Sequence, residues 1–198
     1  MNIAVIGSGY VGLITGLCLS EKGHNVQCID INKEIVNNLN KGIPNFYEEG
    51  LEDLLKKQLK IKRFKATINL KQVLKEVDVI FVAVGTPSLK NGDIDLGYIE
   101  KVAIDIGKSI KDNSKYISII IKSTVLPSTT DTLFKQLVEK YSERKLGDFG
   151  LGMNPEFLRE GSAINDFMFP DRIVIGYEDE KTKINLEEIY KDWDCEKV

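Results

Sequence analysis

Residues 2–12 read N-I-A-V-I-G-S-G-Y-V-G, and this stretch decides the fold. Asn2 to Ile6 is short, apolar and rich in β-branched side chains, as a strand buried on both faces of a parallel sheet requires. Gly7, Gly9 and Gly12 follow in G-x-G-x-x-G spacing. The first permits a tight turn, the second lets backbone approach a pyrophosphate, and the third lets the next helix pack against the strand. That helix is expected from about Tyr10 to Lys22, its unpaired N–H groups and positive dipole end aimed at the phosphates. Tyr10 and Val11 open it and join the three glycines as expected cofactor contacts.

Glycine pairs also serve ordinary strand-to-helix turns, so the neighbouring residues have to decide. Gly23 stands where a left-handed residue ends a helix, and His24-Asn25 makes a turn whose histidine is expected at the surface. Val26 to Ile29 then reads as a second strand ending in Asp30. A carboxylate roughly 20 residues past the glycines accepts hydrogen bonds from ribose hydroxyls. It also repels a 2′-phosphate, which favours NAD over NADP. Folds that hold FAD or S-adenosylmethionine place an acid at the same point, so this unit implies a nucleotide without naming it.

With 198 residues the chain suits one domain or one and a half, and is short for a two-domain dehydrogenase. Its 42% hydrophobic and 29% charged residues, with a mean hydropathy of -0.15, describe a globular protein with an ample core. A net charge of -3 implies no basic face and argues against a nucleic-acid partner. The lysines from Lys56 to Lys65 read as solvated surface. No segment reaches the ~18 apolar residues of a membrane span, and the apolar start lacks the basic region of a signal peptide. No membrane association is expected, and a cytoplasmic location is. Cys18, Cys28 and Cys195 are widely spaced, and neither a disulfide scaffold nor a metal is indicated.

Further along, Ile31 to Leu39 is expected as a helix, ended by Gly42-Ile43-Pro44. Tyr47 and Glu48 offer themselves as ligand-facing loop residues, but in isolation read rather as packing and charge at the entry to a helix from Leu51 to Leu59. Phe64 to Ile68 looks like a strand, and Asn69 starts a helix through Glu76. Asp78 to Val84 is another buried strand, running into Gly85-Thr86-Pro87. In a doubly wound sheet such a turn lies beside the ligand, so Val84, Gly85, Thr86 and Pro87 are candidate cofactor contacts. A helix from Leu96 to Ile110 precedes a strand from Tyr116 to Ile121, which ends in Lys122-Ser123-Thr124-Val125. The N-cap types Ser128 to Thr130 start a helix reaching Tyr141. Asp148 to Met153 is a strand followed by the turn Asn154 to Gly161, Arg172 to Gly176 a last strand, and Thr182 to Tyr190 a helix. This alternation gives an α/β fold, Rossmann-like and doubly wound with a mostly parallel sheet. Residues 1–180 are expected as the nucleotide-binding domain and 181–198 as a terminal helix and the start of a connection.

G-S-G-Y-V-G with Asp30, Y-E-E-G-L, V-A-V-G-T-P, K-S-T-V, and N-P-E-F-L-R-E-G-S-A-I-N-D-F-M-F-P-D-R-I-V-I-G together resemble the N-terminal, NAD-binding domain of the UDP-glucose 6-dehydrogenases. The resemblance covers essentially the whole chain. It implies oxidation of the C6 hydroxyl of UDP-glucose to a carboxylate with two NAD, through capture of the aldehyde by a cysteine and hydrolysis of the thioester. Carried over, Thr124 holds the catalytic water, Glu156 acts in proton transfer and Glu160 lies against the nicotinamide end. Ser123 and Thr124 join the cofactor contacts, and Glu156, Phe157, Leu158, Arg159 and Glu160 border the sugar. The spacing of Glu156 and Glu160 at i and i+4 agrees with two carboxylates sharing one site.

The sequence departs from that family at Glu49, where proline is usual, and at Leu126-Pro127-Ser128, where P-V-G is usual. Its central helix and its C-terminal domain with a G-G-x-C-like nucleophile have no counterpart here, and Cys195 does not stand in for that thiol. The expectation is therefore a monomeric NAD-binding part of a family whose full-length members are dimers, inactive by itself. The GDP-mannose 6-dehydrogenases share N-P-E-F-L-R-E and are the alternative, with a different sequence expected at Pro170-Asp171-Arg172. A nucleotide-binding module without turnover is the rival from another class.

Overall fold

The structure, a computed structural model, describes residues 1–198. It opens with β1 (Asn2–Ile6), α1 (Tyr10–Glu21), β2 (Asn25–Ile29), α2 (Lys33–Asn40), α3 (Leu51–Lys60), β3 (Phe64–Thr67) and α4 (Leu70–Val73). There follow β4 (Val79–Val82), α5 (Gly97–Ile110), β5 (Ser118–Ile121), α6 (Lys135–Ser142), β6 (Gly150–Met153) and α7 (Ala163–Met168). The chain closes with β7 (Arg172–Ile173), β8 (Gly176–Tyr177), α8 (Glu180–Ile189) and β9 (Glu196–Lys197).

The main sheet runs β3-β2-β1-β4-β5-β6-β8, with the first six strands parallel and β8 antiparallel at the edge. Strands buried on both faces feed two cores by alternation. Ile3 and Val5 of β1 and Phe81 of β4 enter one, while Ala4, Ile6 and Val82 enter the other. The first core is closed by α1, α2, α3, α7 and α8, the second by α4, α5 and α6. Helix α1 is apolar almost all round, because it lies between the sheet and α3 and α7 and is buried from Gly12 to Ser20. Chain direction across the sheet reverses between β1 and β4. The carboxyl ends of these two strands therefore open the crevice where doubly wound folds bind ligands.

The structure corrects several sequence expectations. Arg172 to Gly176 is two short strands rather than one. Ile175 N–H still donates to the Val198 carbonyl at 2.8 Å beyond β9, while the Val174 carbonyl on the other side is taken by the Asn154 side chain at 2.8 Å, and only from Gly176 does the chain join β6 as β8. Helix α4 covers only Leu70–Val73, and the helix after Ser128 begins as a wide π turn over Thr130–Phe134, closed by Phe134 N–H to the Thr129 carbonyl. The segment between Gly161 and Arg172, for which the sequence predicts no element, includes the six-residue α7.

His24 is buried, not at the surface. The turn at Gly23 folds it under α8, where Nε2 is 3.4 Å from the Ile189 carbonyl and Nδ1 is 3.3 Å from the Met1 amino group. The tail carrying Cys195 is also fixed. Trp193 is buried with Nε1–H donating to the Phe167 carbonyl at 2.9 Å, and β9 pairs with β7.

Candidate functional site

The glycine turn after β1 is built as its spacing predicts. Gly7 has φ +100°, and a Cβ there would meet the Ala83 carbonyl oxygen at 2.5 Å. A Cβ on Gly12 would lie 2.0 Å from the Gly7 oxygen, so only glycine lets α1 sit this close to the turn. Gly9 differs. It caps α1 without a side-chain hydrogen bond, and a Cβ there meets nothing within 4 Å. The first amides of α1, including those of Tyr10 and Val11, thus open onto free space with the positive end of the helix behind them. This is room and chemistry for a phosphate.

Asp30, at the end of β2, stands across from that opening. Its Oδ2 accepts the Ser8 amide at 2.9 Å and the Ser8 hydroxyl at 2.5 Å, while Oδ1 accepts the Asn32 amide at 2.9 Å. Asp30 and Gly7 border a cleft of about 560 Å³ whose apolar wall includes Ile31, Ile68, Val84, Tyr98 and Val102. A flat aromatic base fits such a wall, and a ribose fits its Asp30 edge. The residues present therefore fit a dinucleotide.

The turn after β4 closes the same edge. Val84 reaches the cleft, Gly85 and Pro87 are exposed and Thr86 is half-buried. Ser123, buried at the end of β5, holds this turn by donating its hydroxyl to the Val84 carbonyl at 2.7 Å. Thr124 follows it at the exposed rim.

Residues 154–159 form an irregular loop, so the i, i+4 spacing of Glu156 and Glu160 does not stack them as on a helix. Glu156 is half-buried, accepts the Leu158 amide at 2.6 Å and shares a small cavity with Lys122. Glu160 is exposed, and its charge adds to the burial and the Glu48 carboxylate that chiefly raise the Tyr10 phenol pKa. Phe157 lies under the Arg172 guanidinium at 5.5 Å, and Leu158 packs on the larger core. Arg159 is engaged by Asp166, with Nη2 2.6 Å from Oδ1 and Nε 3.2 Å from Oδ2. These bonds, chiefly, hold the Asp166 carboxyl down at about 2, which makes Arg159 a brace of the loop.

Lys122, which sequence reasoning passed over, and Glu48, whose burial it did not foresee, carry the loop. Lys122 is buried at the end of β5, its Nζ donating to Asn154 Oδ1 at 2.9 Å and lying 5.6 Å over the Phe167 ring. Burial lowers its ammonium pKa to about 8, against the charge of Glu156. The signal available was a lysine ending an apolar strand. Glu48, read as helix-start charge, is buried and accepts bonds from Tyr10, Gly161 and Ala163.

The sequence model of the UDP-glucose/GDP-mannose dehydrogenase family, NAD binding domain, matches residues 1–194. The chain belongs to this family. It is this family's NAD-binding domain, with the Rossmann-like fold expected of it. It is 44% identical over 196 residues to a GDP-mannose 6-dehydrogenase of Pseudomonas aeruginosa, covering 98% of this chain and 45% of that protein. A UDP-glucose 6-dehydrogenase of Bacillus subtilis is 43% identical over 191 residues, covering 96% of this chain and 42% of that protein. The crystal structure of a ternary complex of the Pseudomonas aeruginosa GDP-mannose dehydrogenase superposes with a TM-score of 0.98 at 43% identity, over 100% of this chain and 46% of that one. A UDP-glucose dehydrogenase from Pyrobaculum islandicum gives 0.95 at 38% identity, over 100% and 45%. The chain spans less than half the length of these relatives.

Proposed function

We propose that this chain is the cofactor half of a nucleoside-diphosphate-sugar 6-dehydrogenase that oxidises the C6 hydroxyl of its substrate to a carboxylate with two NAD. The observation that carries the reading is the open amide cradle at Gly9 beside the Asp30 carboxylate. When bound, the dinucleotide accepts a hydride from C6 in each of the two oxidations. The amides of residues 10–12 hold the pyrophosphate, Asp30 holds the adenosine ribose, and the Val84–Pro87 turn with Ser123 borders the middle of the cofactor. Thr124 positions the water that ends the second oxidation, Glu156 moves protons at the substrate, and Glu160 faces the nicotinamide. Phe157, Leu158 and Arg159 shape the sugar side.

UDP-glucose is the substrate in this reading, on the P-D-R stretch at Pro170–Arg172. GDP-mannose is the second reading, favoured by the 0.98 superposition. The thiol that captures the aldehyde is assigned outside these residues. Cys18 and Cys28 are buried with their pKa values pushed up to about 12 by that burial, so neither supplies a thiolate. No helix is long and apolar enough to cross a membrane, and the reading places the enzyme in the cytoplasm. The full-length protein is read as a dimer and the chain alone as a monomer, which light scattering tests. Incubation of the purified chain with NAD and either UDP-glucose or GDP-mannose is expected to give no uronate. Steady uronate production would overturn the placement of the thiol.

A further inference from the structure

A buried carboxylate without a cation is costly unless donors replace its water. Glu48 is such a group, 5% exposed, and all its partners are neutral. Its Oε2 accepts the Tyr10 hydroxyl at 2.9 Å and the Gly161 amide at 2.9 Å, and its Oε1 accepts the Ala163 amide at 2.8 Å. Tyr10 also lies 3.1 Å from the Arg159 carbonyl. The turn carrying Glu160 is therefore gripped on both sides, by Arg159 against Tyr10 and by Gly161 against Glu48. The segment before Glu48 touches the glycine turn as well. Asn45 Nδ2 donates to the Ser8 carbonyl at 3.1 Å, and Phe46 packs on the Tyr10 ring at 5.0 Å between centroids.

We propose that Glu48 is a positioning residue that ties the turn at Glu160 to the start of α1, so that residues 45–48 strap the phosphate cradle to the carboxylate at the other end of the cofactor. The inference rests on the proposed placement of Glu160 at the cofactor. The Tyr10 hydroxyl shows how tight the cluster is, with its pKa raised to about 12 by burial first, then by the Glu48 bond and the nearby charges of Glu48 and Glu160. Replacing Glu48 with glutamine turns an NH2 toward donors on one side and releases either Ala163 or the Tyr10–Gly161 pair.

The test is a mutant cycle on NAD affinity, measured by calorimetry with the whole chain. Glu48→Gln and Glu160→Gln are each expected to weaken NAD binding, Glu48→Gln by about tenfold, since it leaves buried donors unpaired. Because Glu48 acts through Glu160, the double variant is expected to bind no more weakly than the weaker single variant. Combined with Asp30→Ala, Glu48→Gln is expected to multiply its loss in full. Multiplied losses with Glu160→Gln would overturn the proposal and leave Glu48 a fold clamp. Wild-type affinity in Glu160→Gln would overturn it too, because Glu160 would not be at the cofactor. A wild-type chain that binds no NAD would overturn the proposed function itself. Should Glu48→Gln fail to fold, Tyr10→Phe takes its place in the same cycle, with the same expectation and the same contrary result.

Discussion

The Asp30 carboxylate grips Ser8 twice, through the backbone amide at 2.9 Å and the hydroxyl at 2.5 Å. The acid at the end of β2 therefore shapes the glycine turn as well as offering an acceptor to a ribose. Asp30→Ala is expected to weaken NAD binding by roughly 1–3 kcal/mol, the cost of leaving hydroxyl donors without a charged acceptor. Asp30→Asn keeps an acceptor for Ser8 and is expected to lose less. Titration calorimetry on both variants decides, and unchanged affinity in Asp30→Ala would remove Asp30 from the site.

The three glycines separate folding from binding. Gly9→Ala adds a methyl group to empty space at ordinary helix-capping angles, so its thermal midpoint is expected to stay near wild type while NAD binding falls sharply. Gly12→Ala drives a methyl into the Gly7 carbonyl and is expected to lower the midpoint itself. Thermal melts and NAD titrations on the pair check this. Full NAD affinity in Gly9→Ala would contradict the phosphate cradle.

Most of this fold was legible because its rules are local. Apolar runs such as Val79–Val82, short, rich in β-branched residues and followed by Gly85-Thr86-Pro87, read as strands buried on both faces, and the glycine spacing dictates the turn that follows β1. What escaped depends on distant neighbours. Glu48 meets its amide donors at residues 161 and 163, and His24 lies against Ile189, so no pattern around either residue announces its burial. Helix α7 is too short to show a period, and the spacing of Glu156 and Glu160 misled because their loop is not helical.

Trp193 anchors the tail. It is the only tryptophan, 3% exposed, with Phe167 and Tyr190 against its ring and the Lys22 ammonium 4.5 Å from its centre. Trp193→Ala is expected to cost about 3–5 kcal/mol of stability, as other emptied aromatic core sites do. Urea unfolding followed by circular dichroism measures it. A change within about 0.5 kcal/mol would mean that the tail is not part of the core.

His24 gives the fold a pH dependence of known sign. Its pKa lies below the ordinary 6.5 because of burial first and the Met1 ammonium second, with the charge of Lys191 adding and the Ile189 carbonyl and Glu188 opposing. The unfolded chain then binds the proton more readily than the folded one. The contribution to stability is complete above 6.5, falls as pH drops through the folded-state value, and levels off below it. Between about pH 8 and pH 5 the thermal midpoint is expected to fall more in wild type than in His24→Gln. Parallel profiles would contradict the buried placement of His24.

The measurement that bears most directly on the whole account is calorimetric titration of the 198-residue chain with NAD and, separately, NADP. One saturable site for NAD is expected, with binding of NADP weaker by at least about tenfold, the effect of one carboxylate facing a 2′-phosphate. No saturable binding of NAD, or equal affinity for the two dinucleotides, would contradict it.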